Sequence, residues 1–331
     1  MINNSIEERQ NCYVHSDVNS HTVFFEKAIA LMPVVIWAGF HFGIRSVYLT
    51  IISTVFSLAV GSIIKTSINT IKAKRFVSGI SLLYAFQGLL IALAMPHNVR
   101  LWVIFAADLI AVIPTSLLTI GAGAITICPV AVSISAISLI TKEFSMSSAL
   151  VSERLKYPID IIFEGETPDI TIPDLLLGNV DGKIGEISAA LLAAGFIYLI
   201  IRKHISWYPS IAAVAVIGIL AYEFAPENAA YYPYVINMIC SGGLVFGAFY
   251  ILSDPSVLPS SGFGKIITGL IVGGGTYAFR HWLNVDGVYY SITIATLLSP
   301  VIDSLTEPSV FGMVSKKKTP DNKKTKTEDR N

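Results

Sequence analysis

Apolar residues in this chain fall in runs of about 20 residues, from near one end to the other. A helix of about 20 residues, rising 1.5 Å per residue, crosses the roughly 30 Å hydrocarbon core of a bilayer. Such runs are expected at 26–44, 46–64, 77–95, 101–119, 122–141, 184–202, 209–225, 233–252, 265–282 and 287–303. A water-soluble chain of 331 residues needs far more surface charge than the 14% found here beside 53% hydrophobic residues. The mean hydropathy of +0.65 says the same. Lipid offers the backbone no hydrogen-bond partners, and these runs are too long for barrel strands, so the spans must be helices. The expected fold is an all-α membrane protein of about ten transmembrane helices in two inverted five-helix repeats.

Net charge is zero, so the placement of charge carries the information. An even number of spans puts both termini on one side. Lys65, Lys72, Lys74 and Arg75 follow the second run, Arg202 and Lys203 follow the sixth, and the tail from Lys316 holds seven Lys/Arg against three acids. All fall on the side of the termini, which the positive-inside rule makes cytoplasmic. The 142–183 loop, with eight acids against four Lys/Arg, falls outside. The organisation is then a cytoplasmic segment 1–25, a first membrane half 26–141, an extracytoplasmic loop 142–183, a second membrane half 184–305 and a basic tail 306–331. The first 22 residues are polar and no small-residue cleavage site follows a short apolar core, so no signal peptide is expected. The apolar-free tail reads as disordered, either a contact for anionic lipid or a partner, or a topology anchor.

Two runs are interrupted. One reads Gly121-Ala-Gly123-Ala-Ile-Thr-Ile-Cys128-Pro129; the other extends from Ser241-Gly-Gly to Asp254-Pro255. Glycine lets backbones approach closely and proline leaves a carbonyl unpaired, so such backbone is tolerated only inside protein or beside water. Ordinary small-residue helix packing is the competing reading.

The second interruption opens a longer pattern: Phe249, Ser253, Asp254 and Pro255, then Arg280, Asp286 and Gly287, then Pro300, Ile302 and Asp303. In this order it resembles the D subunit of the Rnf electron-transport complex and the related B subunit of the sodium-pumping NADH:quinone reductase. Ala30-Leu31-Met32-Pro33 with Phe42-Gly43 looks like the family's first span. Gly121 to Ala131 is similar to a Gly-rich stretch running into Asn-Pro-Phe-Asn-Pro. Leu177-Gly178-Asn179, Gly182, Gly185-Glu186-Ile187-Ser188-Ala189, Tyr198 and Arg202-Lys203 resemble the opening of the family's second half.

The resemblance implies a multi-pass subunit of the bacterial cell inner membrane, not catalytic alone, carrying or scaffolding a flavin while the complex moves Na+ or H+. Its implied partners are the other Rnf-type membrane subunits and a periplasmic FMN-bearing subunit that docks on the outer loop. Its implied cofactor is FMN joined through phosphate to a Thr of that loop, with riboflavin held non-covalently in some members. Here the stretch aligns as Ser147-Ser148-Ala149-Leu150-Val151-Ser152. Leu150 stands at the acceptor position and has no oxygen to esterify. A shifted register offers Ser147 or Ser148; Thr167-Pro168 resembles the motif's tail but lies too near Gly178. Ser116 stands where a Lys is usual, and Cys128 and Thr296 each replace an Asn. The combination fits a divergent member.

Among single residues, Asp108 lies mid-run, where a charge costs roughly 2.5–3.5 kcal/mol, so it is a candidate for binding a cation or relaying protons, or a protonated carboxyl bonded between helices. Arg280 could meet a flavin phosphate or a quinone headgroup, or snorkel to the interface. Asp254 and Asp303, beside prolines, could line an ion path or cap their turns. Glu186 suits a helix N-terminus. Cys12, Cys128 and Cys240 lack metal-pair spacing, although Cys128 could reach an iron–sulfur centre with partner subunits. No nucleophile motif appears, and there is no basic groove for nucleic acid. Two other functions stay open: a solute transporter or channel on the same scaffold with no redox role, and a flavin-free assembly subunit.

Overall fold

The computed structural model describes residues 20–73, 81–118, 127–141, 158–163, 171–178, 180, 182–225 and 231–306. Five helices make up the first half: α1 (Ser20–Phe42), α2 (Ile44–Ala73), α3 (Leu82–Leu93), α4 (Leu101–Leu118) and α5 (Pro129–Ile140). Two short helices follow, α6 (Pro158–Phe163) and α7 (Ile172–Leu177). The second half holds α8 (Ala189–Ile201), α9 (Trp207–Glu223), α10 (Tyr231–Cys240), α11 (Leu244–Ile251), α12 (Gly262–Leu283) and α13 (Val288–Thr306). Each expected run coincides with a helix, or with the pair α10–α11. No strand occurs among the described residues; a single antiparallel bridge joins Pro96 to Lys183.

Three helices are each long and apolar enough to cross a membrane: His21–Phe42, Ile44–Ile71 and Val288–Thr306. The bent pair α10–α11 passes the same test as a fourth, and α3, α4, α5, α8 and α9 are shorter apolar helices. The second run was expected to end at 64, with Lys65 in a loop. Instead α2 continues to Ala73, which places Lys65 on a helical extension.

α2 shows most directly what solvent this fold needs. Its buried stripe holds Ser46, Thr50, Ser53 and Ser57, at 0–2% exposure, beside Leu49, whereas Ile44, Ile51, Val55 and Ile63 are 56–85% exposed. A helix in water turns its apolar stripe inward. Hydroxyls inward and isoleucines outward is stable only when the exterior is itself apolar and the hydroxyls find partners inside.

The neighbours of each helix repeat between the halves. α2 packs on α3 and α4, and α4 packs on α5; correspondingly, α9 packs on α10 and α12, and α12 packs on α13. Across the halves α1 packs on α8 and α5 on α13. Glycines permit the tightest approach. On α12 a Cβ at Gly269 would stand 2.7 Å from Cβ of Ala212, and one at Gly273 would stand 2.6 Å from the carbonyl oxygen of Ala213. The four-residue spacing puts both glycines on the face toward α9.

The interruption in the second half is a true bend. α10 and α11 meet at 56° across Ser241–Gly243, with Gly242 in the left-handed region at φ +68°. The chain then runs into a π-helical turn at Gly247–Ile251, where the N–H of Leu252 donates to the carbonyl of Gly247 at 2.8 Å. Ser210 of α9 donates to the carbonyl of Ala248 (2.6 Å), satisfying an acceptor at this turn. The helix stops at Asp254-Pro255, where the Asp254 carboxylate caps the short turn Pro255–Val257. Of the first-half interruption, residues 121–126 lie outside the described set; Cys128 and Pro129 begin α5.

Candidate functional site

One face of the bundle gathers the start of α1, the end of α8, the segment between α11 and α12, and the end of α13. Glu26 sits in the second turn of α1, where its carboxylate takes Nε of Arg202 at 2.8 Å, a second bond from the same guanidinium, and Nε2 of His204 at 2.6 Å. Next to it, Lys27 is 3% exposed and pairs with Asp254 (3.1 Å). Its ammonium also lies 5.5 and 5.6 Å from the ring centroids of Phe24 and Phe86, within cation–π range. The other Asp254 oxygen accepts from the backbone N–H (3.1 Å) and hydroxyl (2.9 Å) of Ser256. Burial pushes the Asp254 carboxyl up, but the Lys27 charge and the Ser256 donors outweigh burial and hold it below its usual value.

Beside this pair a cavity of ≈ 250 Å³ opens between the two halves. Phe24, Phe86, Gln87, Cys128, Tyr250 and Asp254 are among its lining residues. Its walls are mostly apolar, and polar features are few. The carboxamide nitrogen of Gln87 donates to Thr115 (3.0 Å), which leaves Oε1 buried without a partner. A buried acceptor without a donor is costly, and the residue that carries this one lines an apolar, aromatic cavity. Tyr250 instead spends its hydroxyl on the carbonyl of Leu192 (3.0 Å), tying α11 to α8.

On the opposite face the bend is locked by buried charge. Arg280, 1% exposed, donates from Nη1 to the carbonyl of Met238 (2.5 Å) and from Nη2 to that of Ser241 (3.0 Å), both at the end of α10. It also meets Asp286 at 2.8 Å. Asp286 accepts in turn from the N–H of Gly243 (2.9 Å) and from Lys183 (3.0 Å), and Lys183 reaches Glu186 at 2.8 Å. A cation at the carbonyl end of α10 and a carboxylate at the amide opening α11 each meet the helix end that favours them. Burial pulls Lys183 down, but the Glu186 and Asp286 charges outweigh it and hold its ammonium well above the usual lysine value.

The sequence candidates therefore divide. Asp254 lies at the cavity, whereas Asp303 lies apart from it, accepting from the N–H (2.8 Å) and hydroxyl (3.0 Å) of Ser260 and so fastening α13 to the α11–α12 segment. Arg280 is engaged at the bend. Glu186 lies in the short turn Ile184–Glu186, ahead of α8, and pairs with Lys183. Asp108 is fully buried among α2, α3 and α4. Ser147, Ser148, Leu150 and Thr167 lie outside the described residues. Of the departures from the family pattern, two touch: the N–H of Cys128 donates to the Thr296 hydroxyl at 3.4 Å, where α5 meets α13. The third, Ser116, is buried and bonds its own helix at Val112.

Sequence reasoning passed over Glu26, Lys27, Gln87 and Lys183. The signal for the first two was present: adjacent opposite charges at the opening of an apolar run invite scrutiny, although they cost less there than Asp108 does mid-run.

An inward polar stripe, a bent and partly π-helical span and a cavity walled by both halves define a polytopic α-helical membrane protein. The NQR2, RnfD, RnfE family model matches residues 8–312, and the chain belongs to that family. The D subunit of the Na(+)-translocating ferredoxin:NAD(+) oxidoreductase complex of Acetobacterium woodii is 28% identical over 299 residues, covering 88% of this chain and 90% of that protein. The D subunit of the ion-translocating oxidoreductase complex of Sodalis glossinidius is 26% identical over 342 residues, covering 91% and 97%. A 139-residue stretch is 34% identical to the D subunit of the proton-translocating ferredoxin:NAD(+) oxidoreductase complex of Clostridium ljungdahlii, 42% of each chain.

Proposed function

We propose that this chain is the D-type membrane subunit of an ion-translocating Rnf-type electron-transport complex, and that its cavity takes a flavin without a covalent bond. The observation that carries the first part is the family match over 8–312, together with near full-length similarity to two D subunits. In this reading its partners are the remaining Rnf-type membrane subunits and a periplasmic FMN-bearing subunit, and it sits in the bacterial inner membrane with both termini cytoplasmic. The face holding Glu26, Lys27 and Asp254 is then the cytoplasmic one, and the Arg280–Asp286 lock faces outward.

The flavin reading rests on the cavity. Phe24, Phe86 and Tyr250 offer aromatic surface for a planar ring, and the orphaned Gln87 oxygen offers an acceptor for a ring N–H. Such a group, when bound, supplies one- and two-electron transfer between neighbouring carriers. The chain's own part is to fix the ring, exclude water and hold the Lys27–Asp254 pair beside it as a fixed dipole. Riboflavin, which needs no tether, suits a cavity on this face; an FMN tied to the outer loop would lie on the other side, and Leu150 offers no oxygen there.

Purification of the tagged chain from its native membranes tests both parts. Co-purifying Rnf-type subunits and a flavin absorbance band that acid extraction releases are the expected result. A chain that emerges alone and colourless, as a stable homo-oligomer, would sink the reading in favour of a transporter. Partners without flavin would leave an assembly subunit.

A further inference from the structure

Asp108 is fully buried in α4, yet no basic side chain pairs with it among the described residues. What faces it is a hydroxyl. Ser53 of α2 places its Oγ 3.0 Å from each Asp108 oxygen and 2.8 Å from the carbonyl oxygen of Gly88 on α3. A serine hydroxyl has one hydrogen. The Gly88 carbonyl can only accept, so at the shorter distance Ser53 donates there. The Asp108–Ser53 contact must then be supplied by a hydrogen on the carboxyl. The alternative leaves a buried carboxylate with no cation beside it, sharing the Ser53 donor with a carbonyl, and an unpaired buried charge is the costlier state.

The surroundings are consistent with a neutral acid. From α2 the groups facing it are Ser53 and Ser57, and Ser57 Oγ is buried and unpartnered. α3 and α5 carry no Lys, Arg, His, Asp or Glu, and the one tyrosine of α3, Tyr84, lies against Gly61. Arg45 and Lys65 stand more than two turns from Ser53 along α2, and Arg100 precedes α4.

The seam also leads somewhere. Gln87, the residue before Gly88, lines the cavity and bonds Thr115, which lies two turns along α4 on the same face as Asp108. We propose that Asp108 is an exchangeable proton-binding site within the membrane, joined to the cavity through Ser53, Gly88 and Gln87. Its use in coupled ion transfer rests on the subunit reading above; its existence does not.

Infrared difference spectroscopy of the complex in native membranes tests it. At neutral pH a protonated-carboxyl C=O band is expected, shifted in heavy water, insensitive to added sodium and lost in Asp108→Asn. Asparagine keeps the shape and the hydrogen-bonding capacity; should that variant not accumulate, Ser53→Ala must shift the same band by removing its acceptor. A band that is absent, or that survives both changes, overturns the site. A band abolished by sodium makes it a cation site instead, and one that heavy water leaves in place shows the proton does not exchange. Failure of the chain to co-purify with redox subunits would sink the subunit reading while leaving the infrared result standing.

Discussion

Arg280 and Asp286 meet at 2.8 Å across the turn between α12 and α13, and together they hold both sides of the bend in the neighbouring span. The guanidinium takes the carbonyls at the end of α10, the carboxylate takes the amide at the start of α11, and Lys183, balanced by Glu186, adds a second cation to Asp286. The arrangement is costly to break, since removal of Asp286 leaves the buried Arg280 without its carboxylate and Lys183 with one carboxylate fewer. Asp286→Asn is expected to destabilise the protein by about 3–5 kcal/mol. Thermal unfolding of the purified variant in detergent measures this; an unchanged midpoint would show that the lock is not structural.

Gly242 should resist substitution for two separate reasons. Its φ of +68° strains any other residue by roughly 1–2 kcal/mol, and a Cβ there would stand 2.7 Å from the Arg280 guanidinium and 2.9 Å from the Asp286 carboxylate. Gly242→Ala is expected to lower the unfolding midpoint, whereas Gly274→Ala, which meets nothing within 4 Å, should leave it unchanged.

The α9–α12 contact makes a parallel prediction. Gly273→Val drives a branched side chain into the Ala213 carbonyl and the Val216 side chain, which helix backbones cannot yield cheaply. Membrane accumulation should fall sharply. Accumulation equal to wild type would mean that α9 and α12 are not held at this distance.

Acid should weaken the Lys27–Asp254 pair. Asp254 has its folded value depressed, so its contribution is present above the unfolded value of about 3.9 and is lost as pH falls through the folded one. Wild type is therefore expected to lose more stability than Asp254→Asn on acidification below about pH 4. Parallel pH–stability curves for the two proteins would contradict this.

Gln87→Leu removes the cavity's orphaned acceptor while keeping its volume. If a flavin ring donates there, the variant should release flavin at least about tenfold more readily, in line with a net hydrogen-bond contribution of about 1.5 kcal/mol. Washing purified membranes and measuring released fluorescence decides it; equal retention would move the flavin elsewhere.

The helices themselves were legible because their cause is local. Twenty apolar residues dictate a span wherever they occur, glycine pairs and Asp-Pro dictate where one bends and stops, and the bend at Ser241–Gly243 falls where those residues stand. Several boundaries drifted, most of all α1 starting at Ser20, α2 running on to Ala73 and α8 starting only at Ala189, since helix ends depend on contacts that hydropathy does not register. Asp108, Asp254, Asp303 and Arg280 could be singled out as costly or breaking residues. Apart from Asp286, six residues beyond Arg280, their partners could not, because Ser53, Lys27, Ser260 and Met238 each stand 42 or more residues away along the chain.

The sequence by itself therefore determined the solvent, the secondary structure and the family, all of which follow from hydropathy, backbone chemistry and ordered motifs. Tertiary structure alone decided which polar groups meet: that Gln87 is left with an unpaired oxygen on a cavity wall, that Cys128 faces Thr296, and that one serine hydrogen must choose between Gly88 and Asp108. Hydrogen bonds act over about 3 Å, and nothing in the order of residues along a chain fixes which distant helices come that close.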